Sequence, residues 1–296
     1  MKVFFFAAML LAFAYANGQP ITLGVQGSST ASGVGAVSST TWNGISDSGW
    51  VAIVNRVLKQ EGKIDTTQRR SASAMDIYNG MWTGYIPPPD RNSPNAAYNC
   101  SAVMSRVPKP DVVLVNYPST SYDIMSVKEV IERLQDIKNW YNTQGAVCFL
   151  LTTQPRDNFD LTNRQKLRKI ADTITQVFGV FAIDIYRELA DESGRRKTKY
   201  AAPDQLHLNN AGHRYIAQQV LAKNVTNLTP LPIAFRNVKT VRISATQVRV
   251  EFDVEDMNDK DEVFVNIDYD NTGFKRYNAT AIIPKRRYYI IINLKQ

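Results

Sequence analysis

Short apolar runs alternate with amphipathic stretches along the sequence from Ile21 to about Val220. The apolar runs predict buried strands over residues 21–26, 111–117, 146–152 and 180–185. Apolar residues at helical spacing predict helices over residues 49–60, 127–141, 161–178 and 210–223. This alternation indicates a doubly wound α/β/α domain around a parallel sheet. Ligands of such sheets bind beyond the carboxyl ends of the strands, so we expect the chemistry there.

The pattern changes after Lys223. The punctuated stretch Thr229-Pro230-Leu231-Pro232 predicts a linker. Beyond it, strand-like runs separated by turn residues recur over residues 247–254, 263–269, 274–280 and 288–292. We therefore divide the chain into an α/β domain over residues 19–228 and a small β-sandwich-like module over residues 229–296.

The first residues have the features of a secretory signal peptide, which we place at residues 1–18. Lys2 precedes an apolar run from Val3 to Ala14, and Ala14-Tyr15-Ala16 is a small-x-small cleavage signal. The alternative is a buried N-terminal helix. Because the run is too short for a stable membrane anchor, we expect a secreted or periplasmic protein without stable membrane insertion.

Residues 70–107 form the longest stretch without a regular hydrophobic pattern, and they include Ile86-Pro87-Pro88-Pro89. Loops of this length inside a compact domain are usually functional or mobile. We interpret the stretch either as a wall of the active-site cleft or as a simple excursion over the surface.

Charge and cysteine content limit the partners and the redox chemistry. The formal net charge of +8 is spread along the sequence, and its densest clusters are Arg69-Arg70, Arg195-Arg196-Lys197 and Lys285-Arg286-Arg287. We interpret them as solvated surface charge, with an anionic polysaccharide as the alternative partner, and we expect no nucleic-acid partner. Cys148 lies in a predicted strand and Cys100 in a polar connection, and we expect two unpaired thiols.

Both histidines of the sequence fall within residues 204–213, which begin Asp-Gln-Leu-His. A serine nucleophile needs a neutral imidazole as base, and the imidazole needs a carboxylate that fixes its tautomer. An Asp three residues before a His, in a loop that enters a helix, presents both groups to one cleft. We therefore predict that His207 is the base, that Asp204 orients it, and that His213 is a packed helix residue. The spacing does not match common zinc sites, and we expect no metal.

The matching nucleophile is predicted in residues 24–31, Gly-Val-Gln-Gly-Ser-Ser-Thr-Ala. The first strand ends at Gln26, and Gly27 permits a tight turn. Ser29 then lies at the carboxyl end of the strand, where a nucleophile is expected. This loop is a weak signal alone, and Ser29 as a turn or helix-cap serine is the alternative. Paired with Asp204 and His207, it forms a coherent Ser/His/Asp set.

The pairing of an N-terminal Gly-x-Ser loop with a C-terminal Asp-x-x-His resembles the SGNH hydrolases, also called GDSL-type esterases or lipases. The resemblance covers residues 22–220. Within that range it includes residues 111–119, 152–156 and 206–213. It implies a flavodoxin-like fold, ester substrates that are often acetyl groups on carbohydrate, and a triad of Ser29, His207 and Asp204. The leader, the linker and the β module resemble those of exported proteins of the Bacteroidetes type.

Two positions depart from the pattern of that family. Thr120 stands where the family has an Asn that donates to the oxyanion, and the oxyanion-facing Gly of the family falls around Arg70-Ser71-Ala72, which has no Gly. A backbone N–H survives this replacement if the backbone is kept, and the Thr120 hydroxyl can donate over a shorter reach. The resemblance thus implies an oxyanion hole from Ser29, Ser71 and Thr120. Loss of one such donor costs about 10²–10³ in rate.

Two functions remain open from the sequence. The first is a secreted serine esterase that hydrolyses short-acyl esters of a small molecule or a polysaccharide through an acyl-enzyme, without a cofactor. The second is a catalytically weakened protein of the same fold that binds a glycan or another ligand, and the departures at Ser71 and Thr120 motivate it. Arg156 follows the third predicted strand. We interpret it either as a substrate-binding residue for an anionic substrate or as a cap on the sheet edge.

Overall fold

The computed structural model describes residues 20–227, 236–244, 247–253, 264–267, 275–278, 280–283 and 287–293. The signal peptide and the linker that the sequence predicts lie outside the described residues. The chain divides into two compact units, with the boundary between Asn227 and Leu228. Among the described residues, no helix combines the length and the apolarity that crossing a membrane requires.

A sheet of five parallel strands organises the first unit. The strands are β1 Ile21–Gly27, β2 Ile64–Ser71, β3 Val112–Asn116, β4 Val147–Leu151 and β5 Ala182–Ile183. Their order is β2-β1-β3-β4-β5, and every pairing is parallel. This is the flavodoxin-like order, in which ligands bind where the winding reverses between β1 and β3. The predicted α/β class is confirmed.

Helices cover both faces of this sheet. The α-helices described in the unit are α1 Trp50–Gln60, α2 Cys100–Met104, α3 Val127–Thr143, α4 Leu161–Phe178, α5 Tyr186–Leu189 and α6 Asn210–Ala222. Helix α1 packs on α6, and α3 packs on α4. Val113, Val115, Cys148 and Leu150 share one core cluster with α3 and α4. Because side chains alternate across a strand, the intervening buried residues face the opposite layer.

Side-chain caps fix where three of the longer helices begin. The Ser126 side chain accepts the Glu129 N–H at 3.1 Å, and Glu129 reaches back to the Ser126 N–H in a capping box. Asp160 caps α4 and Asn209 caps α6 by accepting backbone N–H groups of the first turn. The cap residue Asn209 lies two residues after His207, so the predicted site loop ends where α6 begins.

The structure corrects three expectations about this unit. Strand β2 was not predicted, because as an edge strand it carries polar side chains and only three of its eight residues are buried. The strand expected over residues 180–185 is reduced to β5, which a 3-10 turn over Gly179–Phe181 precedes. The stretch 70–107 is not a simple surface excursion, because Ile77, Tyr78 and Met81 are at most 1% exposed.

Both cysteines are free and buried, which confirms the expectation of two unpaired thiols. Cys100 does not lie in a polar connection, since it opens α2 and belongs to the core cluster. Its thiol donates to Gln26 Oε1 at 3.7 Å. Burial raises the pKa of the Cys100 thiol to about 12. A thiol in such surroundings is a packing group rather than a nucleophile.

The second unit is all-β within its described ranges. Its strands are β6 Arg236–Arg242, β7 Gln247–Asp253, β8 Phe264–Ile267, β9 Lys275–Asn278, β10 Thr280–Ile283 and β11 Arg287–Asn293. They form an antiparallel sheet of order β10-β11-β7-β6 and a separate β8-β9 pair. The run expected over residues 274–280 is divided between β9 and β10, and β6 was not predicted.

Candidate active site

The loop after β1 brings Ser29 to the carboxyl end of the sheet, at the reversal between β1 and β3. A Cβ atom on Gly27 would lie 2.4 Å from the Asn116 carbonyl oxygen, so only glycine fits there. The N–H of Ser28 donates to the same carbonyl at 3.1 Å. These contacts fix the turn, and Ser29 follows it as the sequence predicts.

The structure brings Ser29, His207 and Asp204 together. Ser29 Oγ lies 3.0 Å from His207 Nε2, although 178 positions separate the two residues. His207 Nδ1 lies 2.5 Å from Asp204 Oδ2. Because a carboxylate only accepts, the ring proton belongs on Nδ1, and Nε2 is left to accept from Ser29. The three side chains thus form one continuous hydrogen-bonded series.

Asp204 is held as an anion beside the imidazole. Burial on its own would raise the pKa of this carboxyl group. Hydrogen bonds from the backbone N–H and the ring of His207 and from the Leu206 N–H outweigh it and lower the pKa to about 2. The two N–H groups reach Oδ1 at 2.7 and 3.0 Å. The Asp204 side chain is 48% exposed and that of His207 only 13%, so water reaches the carboxylate more readily than the ring.

Close backbone packing joins the Ser29 loop to the His207 segment. Gly35 has a φ of +92°, and a Cβ atom there would lie 2.3 Å from the Leu208 carbonyl oxygen and 2.9 Å from His207 Cβ. Any side chain at Gly35 would push the two segments apart. Glycine at this position therefore allows the approach of Ser29 to His207.

Gln154 forms a second link between the same segments. Thr30 Oγ1 donates to Gln154 Oε1 at 2.8 Å, and Gln154 Nε2 donates to the Leu206 carbonyl at 3.1 Å. Thr30 and Gln154 are each 1% exposed. Gln154 entered the sequence-based prediction only within residues 152–156 of the family resemblance, and this link was missed. A polar residue within three positions of the end of a buried strand is the signal that could have identified it.

His213 is the packed helix residue that the sequence predicts. Its Nδ1 accepts the Trp50 N–H at 3.3 Å, and its Nε2 donates to the Val34 carbonyl at 3.1 Å. Burial lowers the pKa of the His213 imidazole to about 4, against a smaller rise from the hydrogen bond to Val34. The neutral ring thereby joins α6, the start of α1 and the loop that carries Ser29.

The groups expected to form the oxyanion hole are less clearly assembled. Thr120 Oγ1 lies 3.3 Å from Ser28 Oγ, which brings its hydroxyl beside the loop that carries Ser29. The Ser29 N–H has no acceptor among the described residues. The Ser29 N–H is therefore open, and the Thr120 hydroxyl contacts the residue before Ser29.

Ser71 is engaged elsewhere. Its Oγ accepts from Ser32 Oγ at 3.0 Å and from Arg69 Nη1 at 2.8 Å. The neighbouring N–H of Ala72 donates to the Gly27 carbonyl at 3.4 Å. The described hydrogen bonds thus attach this end of β2 to the Ser29 loop, but they do not bring Ser71 to Ser29 itself.

Arg156 contacts the segment that carries Thr120. Its Nη1 donates to the Ser119 carbonyl at 3.4 Å and its Nε to Asn158 Oδ1 at 3.1 Å. The guanidinium carbon stands 4.2 Å from the centroid of the Phe159 ring. Strand β4, which the Arg156 loop follows, lies between β3 and β5. A half-buried cation therefore contacts the residue that precedes Thr120.

The basic cluster Arg195-Arg196-Lys197 is not wholly solvated, as the sequence suggested. The side chain of Arg196 is only 2% exposed, and it pairs with Asp157 at 2.7 Å. Its Nη1 also lies 3.8 Å from Asp204 Oδ1. Sequence reasoning missed this arginine because flanking charges give it the pattern of an exposed segment.

No family model matches the sequence, and no curated protein matches it. Solved structures that are similar include a psychrotrophic esterase from Pseudoalteromonas sp., with 14% identity, a TM-score of 0.48, and coverage of 69% of this chain and 96% of that one. A GDSL-like lipase from Bacteroides thetaiotaomicron has 12% identity, a TM-score of 0.46, and coverage of 70% and 94%. A member of the lipolytic G-D-S-L family from Veillonella parvula has 14% identity, a TM-score of 0.47, and coverage of 68% of this chain and 96% of that one. The case for any chemistry therefore rests on the side chains of this chain.

Proposed function

We propose that this protein is a serine esterase that hydrolyses short-acyl esters, with Ser29 as nucleophile, His207 as general base and Asp204 as the residue that orients it. The observation that carries this proposal is the hydrogen-bonded series from Ser29 Oγ through both ring nitrogens of His207 to Asp204 Oδ2. Each link is needed for a neutral imidazole to take a proton from a serine.

The reaction has two halves. Ser29 Oγ attacks the ester carbonyl carbon while its proton moves to His207 Nε2. The tetrahedral intermediate collapses, the alcohol leaves with that proton, and the acyl group stays on Ser29. Water then attacks the acyl-enzyme with His207 as base, and the acid is released with Ser29 restored. Ionised Asp204, whose pKa is lowered to about 2, stabilises the imidazolium in both halves.

The oxyanion of each intermediate is stabilised by the Ser29 N–H, by the Thr120 hydroxyl and by a backbone N–H near Ser71. The open Ser29 N–H and the closeness of Thr120 Oγ1 to Ser28 support the first two donors. Support for the third is weaker, because the Ala72 N–H is already bonded to Gly27. The hole therefore depends mainly on Ser29 and Thr120.

Two features favour an exported enzyme for esters of molecules that also carry an anionic group. Arg156 donates to the carbonyl of Ser119, the residue before Thr120, and offers a cation to an anionic group on the acid or alcohol side of the ester. Lys2, the apolar run to Ala14 and the small-residue site before Asn17 have the form of a secretory signal. We propose a secreted or periplasmic location and acetyl groups on acidic polysaccharide as the first substrates to test.

The test is hydrolysis of p-nitrophenyl esters from acetate to octanoate by the wild type, Ser29→Ala and Ser38→Ala. Ser38 contacts Thr40 in an exposed segment and serves as the matched control. We expect Ser29→Ala to lose roughly 10⁶ in kcat and Ser38→Ala to behave as the wild type. Equal rates for Ser29→Ala and the wild type, on these esters and on acetylated polysaccharide, would refute the esterase.

A glycan-binding protein with weakened catalysis is the second candidate, and the engagement of Ser71 with Ser32 and Arg69 favours it. In that case all three proteins would bind an acidic polysaccharide equally in calorimetry, without turnover. Binding without turnover would support this candidate, and turnover that depends on Ser29 would exclude it.

A further inference from the structure

The buried guanidinium of Arg196 contacts the loop that carries Asp204 and His207. Arg196 Nη1 donates to the Ala202 carbonyl at 3.2 Å and also to the His207 carbonyl. The same nitrogen lies 3.8 Å from Asp204 Oδ1. One side chain therefore contacts both the backbone carbonyl of His207 and the carboxylate of Asp204.

Asp157 completes the arrangement from the loop after β4. Its Oδ2 accepts from Arg196 Nη2 at 2.7 Å, and its Oδ1 accepts the Arg196 N–H at 2.8 Å. The Asp157 N–H in turn donates to the Gln205 carbonyl at 3.1 Å. Gln205 has a φ of +58°, a conformation that costs energy outside glycine. Three loops are thus joined around the site, and a strained residue between Asp204 and His207 is held in place.

We propose that Arg196, held by Asp157, is a positioning residue. It keeps the Asp204–His207 pair where His207 Nε2 is within hydrogen-bond distance of Ser29 Oγ. The inference rests on the proposed function, because it assigns a role within that same triad. The planar guanidinium reaches two carbonyls and two carboxylates at once. A lysine ammonium is a point charge on a flexible stem and cannot reproduce this fixed set of directions.

Charge favours a dedicated role over simple packing. A buried arginine is costly unless its charge is paired, and Asp157 supplies that pair at 2.7 Å. The second carboxylate, Asp204, is half exposed and is not needed to neutralise Arg196. The contact between Arg196 and Asp204 therefore serves the position of Asp204 more than the burial of Arg196.

Arg164 gives a matched control. Its side chain is also buried, at 8% exposure for the residue, and it donates to the Ser193 and Phe159 carbonyls. It joins the same two loops that hold Asp157 and Arg196 but contacts no residue of the proposed triad. Arg164→Met should therefore report the loss of a buried arginine without loss of the triad position.

The experiment measures kcat and KM for p-nitrophenyl acetate, with thermal midpoints, in Arg196→Met, Arg196→Lys and Arg164→Met. We expect Arg196→Met to lower kcat roughly 10²-fold at unchanged KM, as displacement of a catalytic group by about 1 Å does. Arg196→Lys should recover part of that loss, and Arg164→Met should lower the midpoint while kcat stays within a few fold. Equal kcat for Arg196→Met and Arg164→Met would overturn the proposal.

A second readout does not depend on turnover. The chain has only two histidines, so the imidazole NMR signals are readily assigned, and the His207 Nδ1 proton shared with Asp204 should give its own low-field signal. We expect Arg196→Met to lose or broaden it and Arg164→Met to keep it. If the wild type showed no turnover, the esterase would be refuted. Loss of the signal in Arg196→Met would still support the positioning role in that case. Retention of the signal in Arg196→Met would refute the positioning role.

Discussion

The two halves of the candidate site are held by different means. On the base side, Ser29, His207 and Asp204 form a series in which each side chain has a defined partner. On the oxyanion side, Thr120 contacts Ser28, and Ser71 is bonded to Ser32 and Arg69 rather than facing Ser29. The base side is specified by side chains, whereas the oxyanion side depends on where loops point their N–H and O–H groups.

This difference explains why a motif can identify one half and not the other. A series of side chains needs particular residue types, and the sequence displays them as Asp-x-x-His and Gly-x-Ser. A backbone N–H has no residue type, so its direction depends on local φ and ψ. A substitution on the base side should therefore remove nearly all of kcat. A substitution on the oxyanion side should lower kcat by a smaller factor.

The largest effect that separates the halves is expected for Asp204→Asn. An amide oxygen can still accept the N–H groups of Leu206 and His207, but its NH2 group faces Nδ1 and imposes the wrong tautomer. We expect kcat to fall about 10⁴-fold with the loop still folded. Steady-state kinetics together with circular dichroism measure the two consequences.

Asp191→Asn is the control for this change, because Asp191 accepts the Arg195 N–H and the Ser193 hydroxyl in a nearby loop without contacting His207. It should leave kcat near the wild-type value. Wild-type kcat in Asp204→Asn would show that the series of side chains is not what drives the reaction.

A smaller effect is expected on the oxyanion side, for Thr120→Val. Valine keeps the shape and removes the hydroxyl, so one donor to the developing oxyanion is lost. We expect kcat to fall about 10²–10³-fold at unchanged KM, and Thr120→Ser, which keeps a hydroxyl, to lose far less. Kinetics of the two variants beside the wild type decide this. If Thr120→Val matched Thr120→Ser, the hydroxyl would have no part in the oxyanion hole.

The fold was predictable where burial imposes a simple pattern. Strands β3 and β4 are buried throughout or nearly so, and their apolar runs stand out in the sequence. Strand β2 was missed because it lies at the sheet edge with polar side chains between its buried positions. A run without an apolar face is indistinguishable from a loop until its partner β1 is known.

The same limit applies to the site. Ser29, His207 and Asp204 follow from residue types and from their places after β1 and before α6. Arg196 and Gln154 were not predicted as parts of it, because their roles consist of contacts with carbonyls of a distant loop. A carbonyl partner is present at every position of a sequence, so only the folded chain can show which one is used.

The mildest of the expected effects concerns His213, which supports the base side through Val34 and Trp50. Its folded-state pKa of about 4 lies below the ordinary value of 6.5. As the pH falls, the unfolded chain therefore takes up this proton before the folded protein does. The stability contributed by neutral His213 is complete above about pH 6.5 and is lost progressively towards pH 4.

Between pH 7 and pH 5 this uptake should cost about 2 kcal/mol of unfolding free energy in the wild type. His213→Gln replaces the ring with an amide that does not titrate, so it should be less stable than the wild type at pH 7 and lose less stability on acidification. Urea unfolding of both proteins at the two pH values gives the difference, in which the titration of other groups cancels. Equal losses of unfolding free energy in the two proteins between pH 7 and pH 5 would mean that His213 is not a buried neutral imidazole joining the Ser29 loop to α6.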